Sequence, residues 1–247
     1  MIEARKLTKV YGDHVAVDAL DLNIARGTIC AFLGPNGAGK STAVKMLTGL
    51  LAPTSGSATV AGIDCSLATT DLSRAVGVLP ESLGLFDSLT VEEHLTLTGS
   101  VYGISQSETE RRTAELLSSL ALEDGRRTFL DECSYGMRKK TALAMALLPN
   151  PQVLFLDEPF EGLDPVVSRT IRDLLVAIAP RGVTIFLTSH ILSIVEEIAT
   201  HVMMIRAGKL VFDSKRDGLT QPLESIYFDL VAAPRAGDWS WLGSPQS

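Results

Sequence analysis

Eight consecutive residues, Gly34-Pro35-Asn36-Gly37-Ala38-Gly39-Lys40-Ser41, combine three glycines with a lysine and a hydroxyl. Glycines let successive backbone N–H groups turn inward onto phosphate oxygens where side chains would obstruct them. A lysine placed after them reaches the β- and γ-phosphates, and the hydroxyl next to it serves a divalent cation. The pattern G-x-x-x-x-G-K-[ST] thus predicts a loop in which Gly34, Pro35, Asn36, Gly37, Ala38, Gly39, Lys40, Ser41 and Thr42 surround the phosphates of a nucleotide, with Ser41 on Mg²⁺. A glycine turn with a chance lysine is the bland alternative. Context weighs against it: the apolar run Thr28–Leu33 precedes the loop, and Lys40–Leu50 comes after it with Val44 and Leu47 at helical spacing.

A second constellation is Val153-Leu154-Phe155-Leu156-Asp157-Glu158-Pro159, an apolar strand ending in two acids. Adjacent carboxylates at the end of a buried strand cost desolvation unless they have work to do. Asp157 is expected to face the Mg²⁺ beside Ser41, and Glu158 to act as general base on a water in line with the γ-phosphate. A helix cap would explain one acid alone, but Glu158-Pro159-Phe160-Glu161-Gly162 does not start a helix. Thr188-Ser189-His190 ends another apolar strand, at the sheet edge where ligands collect. On its own His190 reads either as a cap or surface residue or as a neutral imidazole holding the γ-phosphate and the attacking water. His14, His94 and His201 lack metal-ligand spacing and are read as structural.

The elements that position these groups alternate in type. Ile2–Val10 and His14–Ile24 have the period-two polarity of antiparallel strands around Tyr11-Gly12-Asp13 and predict an antiparallel edge sheet. Strands are expected at Ser57–Ala61, Ala75–Leu79, Val153–Leu156, Val183–Leu187, Val202–Ile205 and Leu210–Phe212. Helices are expected at Thr90–Tyr102, Glu108–Leu122, Met137–Leu148 (capped by Ser134 and ended by Pro149-Asn150-Pro151), Val166–Ala179 and Ile191–Ala199. Such alternation predicts an α/β fold with a parallel sheet covered by helices on both faces. Leu223, Ile226, Tyr227, Leu230 and Val231 mark a short amphipathic C-terminal helix packing on its own domain, and the Ala/Gly/Ser/Pro-rich stretch after it reads as poorly ordered.

Composition narrows the class. With 22 Lys and Arg against 29 Asp and Glu in 247 residues, the net charge of −7 lacks the footprint of a nucleic-acid binder, so no nucleic-acid partner is expected. Three scattered cysteines, Cys30, Cys65 and Cys133, imply neither a disulfide framework nor a zinc site and suit a reducing compartment. No apolar run approaches the roughly 18 residues of a membrane span. The chain is therefore expected to be soluble and to reach a membrane only through a partner.

These motifs, taken in order over about residues 1 to 215, resemble the ATP-binding subunit of an ABC transporter. Cys133-Ser134-Tyr135-Gly136-Met137 resembles the LSGGQ signature, Glu161-Gly162-Leu163-Asp164 the D-loop, and His190 the switch histidine. The resemblance implies a P-loop NTPase (RecA-like) core at residues 1–80 and 149–215, an inserted helical sub-domain at 81–148, and a C-terminal helix and tail at 216–247. It implies ATP and Mg²⁺ as cofactors and hydrolysis at two sites shared in a head-to-tail dimer. Ser134 and Gly136 would hold the partner's γ-phosphate from a helix N-terminus, Asp164 would connect the sites, and Tyr11 would stack on adenine. As a turn aromatic Tyr11 has a plain hydrophobic reading too, and Ser134 can cap its helix in either case.

Two motifs depart from the family pattern. Tyr135 and Met137 replace a glycine and the glutamine of the signature, and Glu81 stands where a glutamine is usual, still able to ligate the cation. The variant signature, Glu81 and the short C-terminal helix resemble exporter-branch ATPases that pair with a separately encoded transmembrane permease, at the cytoplasmic face of the membrane. Glu81–Leu95 would then form the groove for a permease helix, with Leu85 and Phe86 either as contacts or as core packing. The presence of both half-sites is compatible with a homodimer. A soluble ABC-type ATPase and a nucleotide-gated regulatory subunit are the alternative functions. A GTPase is disfavoured by the missing N-K-x-D motif.

Overall fold

The computed structural model describes residues 1–67 and 69–231. Ten strands and eight α-helices alternate along these residues. Strands β1 (Ile2–Tyr11), β2 (His14–Ile24), β4 (Ser55–Val60) and β5 (Ile63–Asp64) form an antiparallel sheet in the order β2-β1-β4-β5. A six-stranded sheet, ordered β10-β9-β3-β8-β7-β6, contains β3 (Ile29–Leu33), β6 (Val76–Leu79), β7 (Val153–Asp157), β8 (Thr184–Thr188), β9 (His201–Arg206) and β10 (Lys209–Lys215). All its neighbours run parallel except the β9–β10 hairpin.

Side-chain alternation decides what covers each face of that sheet. In β3, Cys30 and Phe32 point toward Ala43, Val44, Met46 and Leu47 of α1 (Lys40–Leu47) and toward Ile2, Leu7 and Leu20 of the antiparallel sheet. Ile29, Ala31 and Leu33 point the other way, into a core built from α3 (Val91–Val101), α4 (Gln106–Ser119), α5 (Tyr135–Leu147), α6 (Pro165–Ile178) and α7 (Leu192–Ile198). The expectation of helices on both faces is thus modified: on one face α1 shares the cover with the antiparallel sheet. A helix α2 (Thr70–Ala75) takes the lead-in to the strand expected at Ala75–Leu79, together with Ala75 itself. Thr69 caps it by accepting from Leu72 N–H, a local hydrogen bond that wins over the weak β pattern there.

The last described helix, α8 (Leu223–Val231), buries Leu223 and packs Ile226, Tyr227 and Leu230 on the helical side of the core, as its spacing predicts. Leu223 N–H donates to Glu196 on α7, and Arg206 donates to the Leu230 carbonyl. The stretch read as poorly ordered lies outside the described residues.

Candidate active site

Parallel strands all end at one edge, and register sets which ends are neighbours. In the order β3-β8-β7, Thr188 pairs with Phe32 on one side and Asp157 on the other, so the loops after all three strands converge. The glycine loop leaves β3 here. Its tight course requires glycine at two positions: a Cβ on Gly34 would lie 2.3 Å from the Ile205 carbonyl oxygen. At Gly39 it would lie 2.3 Å from that of Ala16, at a φ of +107°. Gly39 precedes α1 without offering a side-chain cap, which leaves the first-turn N–H groups free for an anion.

Lys40 is buried, and its Nζ donates to the Gly34 and Pro35 carbonyls at 2.7 and 3.2 Å. Burial lowers its pKa, opposed by the charges of Glu158, Asp157 and Glu81. A cavity beside the loop is lined by Tyr11, His14, Ala16, Asn36–Thr42 and Glu81. Tyr11 is half-exposed at its rim, with Lys9 Nζ 5.3 Å from the ring centroid. His14, read from sequence as merely structural, belongs to this wall as well. The oxygens of Ser41, Asp157 and Glu81 are hard donors suited to a small divalent cation. Among the described residues no cluster of three His, Cys, Asp or Glu side chains could hold a metal alone. An ion here would take its other ligands from phosphate and water.

Asp157 and Glu158 are held by a threonine that sequence reasoning passed over. The Thr188 hydroxyl donates to Asp157 Oδ1 at 2.5 Å and accepts from Glu158 N–H at 3.0 Å. Glu158 has a left-handed backbone, φ +48°, which costs a non-glycine residue about 1–3 kcal/mol. The cost is met by its neighbours: its carbonyl accepts from Lys139 Nζ, and such a charged hydrogen bond contributes about 1.5–3 kcal/mol. The Glu158 carboxylate accepts from His190 Nδ1 at 2.9 Å and from His190 N–H at 3.2 Å. His190 thus points at the second acid of the strand end. Desolvation raises the Glu158 pKa, and His190 and Lys40 oppose that rise.

The other expected residues sit at helix starts nearby. Ser134 caps α5, its Oγ accepting from Met137 N–H at 3.2 Å. Asp164 caps α6 by accepting from Val166 and Val167 N–H at 2.8 and 3.0 Å, with Pro165 in the first turn. Gly136 lies close to Val167, and a Cβ on Gly162 would lie 3.1 Å from the Tyr135 ring. The two motif segments therefore touch within one chain. His94 and His201 are structural: His94 is buried between Thr90 O and Phe86 N–H, and His201 pairs with Asp213. Of the segment Glu81–Leu95 only Leu83 and Phe86 line the neighbouring 560 Å³ apolar cavity, whose other walls come from elsewhere in the chain, Leu50, Val76, Leu97, Val101 and Met145 among them. Phe86 is exposed in it, whereas Leu85 packs on the core.

Comparison with known proteins matches this arrangement. The family described as ABC transporter matches residues 17–161. The bacitracin transport ATP-binding protein BcrA of Bacillus licheniformis is 37% identical over 220 residues, 89% of this chain and 71% of its own length. The Nod factor export ATP-binding protein I of Cupriavidus metallidurans is 35% identical over 215 residues, 87% of this chain and 71% of its own. A solved ATP-binding subunit of an ABC transporter superposes with a TM-score of 0.86 at 30% identity, covering 93% of this chain and 99% of that one. A dimeric ATP-binding cassette in a post-hydrolysis state with ADP and Pi gives 0.81 at 25% identity, covering 89% of this chain and 100% of that one. Among the described residues no helix is long and apolar enough to cross a membrane. With its phosphate loop, paired acids and signature segment in one chain, the protein belongs to the ABC transporter family, as an ATP-binding subunit that hydrolyses ATP.

Proposed function

We propose that this chain dimerises around two MgATP molecules and powers export through a separately encoded transmembrane permease, to which it is held at the cytoplasmic face of the membrane. The observation that carries the reading is the convergence of Lys40, Asp157 and Glu158 where β3, β8 and β7 end, with Glu158 half-buried and gripped by His190. Lys40 leaves the loop carbonyls for the β- and γ-phosphates, beside the N–H groups of residues 37–42. Glu158, raised in pKa by desolvation, takes the proton of the attacking water, and His190 keeps its carboxylate aimed. When bound on Ser41, Asp157 and Glu81, Mg²⁺ supplies charge neutralisation at the phosphate oxygens.

Tyr11 packs on the base. Ser134 and Gly136 serve the partner's nucleotide, and Asp164 links the two sites. In the same reading residues 1–80 and 149–215 bind nucleotide, 81–148 present the signature and Phe86, and 216–247 append α8 and the tail. Export is favoured because the relatives include a Nod factor export ATP-binding protein beside a bacitracin transport ATP-binding protein, and a dimer because a similar cassette is dimeric.

The test is Glu158→Gln. Turnover should fall on the order of a hundredfold while ATP stays bound, and the tagged variant held in MgATP in its own cells should co-purify a polytopic membrane protein in equal amount. Normal turnover would remove Glu158 from the base role. Recovery with ribosomes, or without a membrane protein in mild detergent, would favour the soluble or regulatory alternatives.

A further inference from the structure

Among the described residues three lysines are buried, and Lys139 is the deepest at 1% exposure. None of the roles assigned at the nucleotide site falls to it. Its Nζ donates to the Glu158 carbonyl and, at 3.4 Å, to the Glu161 carbonyl, and it lies 5.5 Å from the centroid of the Tyr135 ring. Tyr135 in turn covers Gly162, so the start of α5 closes over the whole turn after Asp157.

That turn is the backbone carrying Glu158 in its left-handed conformation. Its N–H end is pinned by Thr188 and its carbonyl end by Lys139, with Glu161 N–H adding a bond to the same oxygen at 3.3 Å. Release of the carbonyl end would let φ relax toward the extended region that a residue preceding a proline favours, here Pro159, and swing the carboxylate away from His190. Burial alone does not account for a lysine here. A long apolar residue would fill the space without desolvating an ammonium, but it would take the lysine's donor from the Glu161 carbonyl and leave the Glu158 carbonyl only the bond from Glu161 N–H.

We propose that Lys139 is a positioning residue for hydrolysis: from the signature helix it holds the Glu158–Glu161 turn, and the Tyr135 ring seals the contact, so that Glu158 points at the reacting water. The inference rests on Glu158 being the base, and Glu158→Gln alone tests that.

A double-mutant cycle in the full chain tests the rest, using Lys139→Met, which keeps the stem and removes the donor. The expected result is a loss in kcat on the order of tenfold with KM for ATP within about twofold, because the charged hydrogen bonds to the turn are lost without touching nucleotide. In the Glu158→Gln background the same change should alter kcat by less than about twofold, since a residue acting through Glu158 has nothing left to position. Lys139→Gln, which restores an N–H donor, should recover part of the rate. In nucleotide-free protein, amide exchange across residues 157–163 should quicken in Lys139→Met. Wild-type kcat in Lys139→Met, an equal loss in both backgrounds, or a loss carried by KM would overturn the proposal. If the Met variant fails to fold, Lys139→Ser is read in its place with the same outcomes.

Discussion

Thr188→Val separates the reasoning about the strand-end acids from the reasoning about shape. Valine has nearly the same volume, and Thr188 is 0% exposed on a central strand, so packing is preserved and only the hydroxyl is lost. Two bonds go with it, one to Asp157 Oδ1 and one from Glu158 N–H. An orphaned buried N–H costs about 1–3 kcal/mol and a hydrogen bond to a carboxylate about 1.5–3. Asp157 is only half-buried and regains water for part of its share, so the net loss should be about 2–4 kcal/mol. At about 2–4 °C per kcal/mol for a chain of this size, the melting temperature should fall by about 4–16 °C. Calorimetry on nucleotide-free protein reads this directly. Thr188→Ser keeps the hydroxyl and should lose much less. A Thr188→Val protein melting within about 2 °C of wild type would refute the bridge as a structural element.

Other expectations rest on single groups. Lys40→Ala should abolish nucleotide binding and turnover, checked with a fluorescent ATP analogue and by phosphate release. Binding at wild-type affinity would mean that its bonds to Gly34 and Pro35 are its whole role. Glu81→Gln should change turnover less than about tenfold, because an amide oxygen can still serve a hard cation; a hundredfold loss would make its charge essential. Glu108, forked by Arg111 and Arg112, has its pKa lowered from 4.5 to about 2 by their hydrogen bonds. Its contribution to stability is therefore complete above 4.5 and lost only as pH falls toward about 2. A carboxyl carbon NMR titration should show this low midpoint and its rise in Arg112→Gln.

The site was legible where function is local in the chain. A glycine loop, its lysine and a helix start lie within a few residues of one another, and the apolar strand before Asp157 and Glu158 is contiguous, so type and spacing sufficed. The cap at Ser134 was legible, because a cap bonds N–H groups two or three residues away, whereas the capping role of Asp164 was not read from the sequence. Helix α2 was missed because six residues give too little periodicity to outweigh an adjoining strand. The roles of Thr188 and Lys139 were not legible at all. Their partners lie 31 and 19 residues away, and nothing local distinguishes a threonine or lysine that bridges from one that faces solvent.

By itself, then, the order of residues determined the family, the phosphate loop, the acids and most elements, since these depend on covalent neighbours and on periods of two and 3.6. Only the tertiary structure decided that β3, β8 and β7 are adjacent, which face of the sheet the antiparallel strands cover, and that His190 meets Glu158. Those facts rest on sheet order and register, which bring together residues remote in sequence through backbone pairing that any side chain can make.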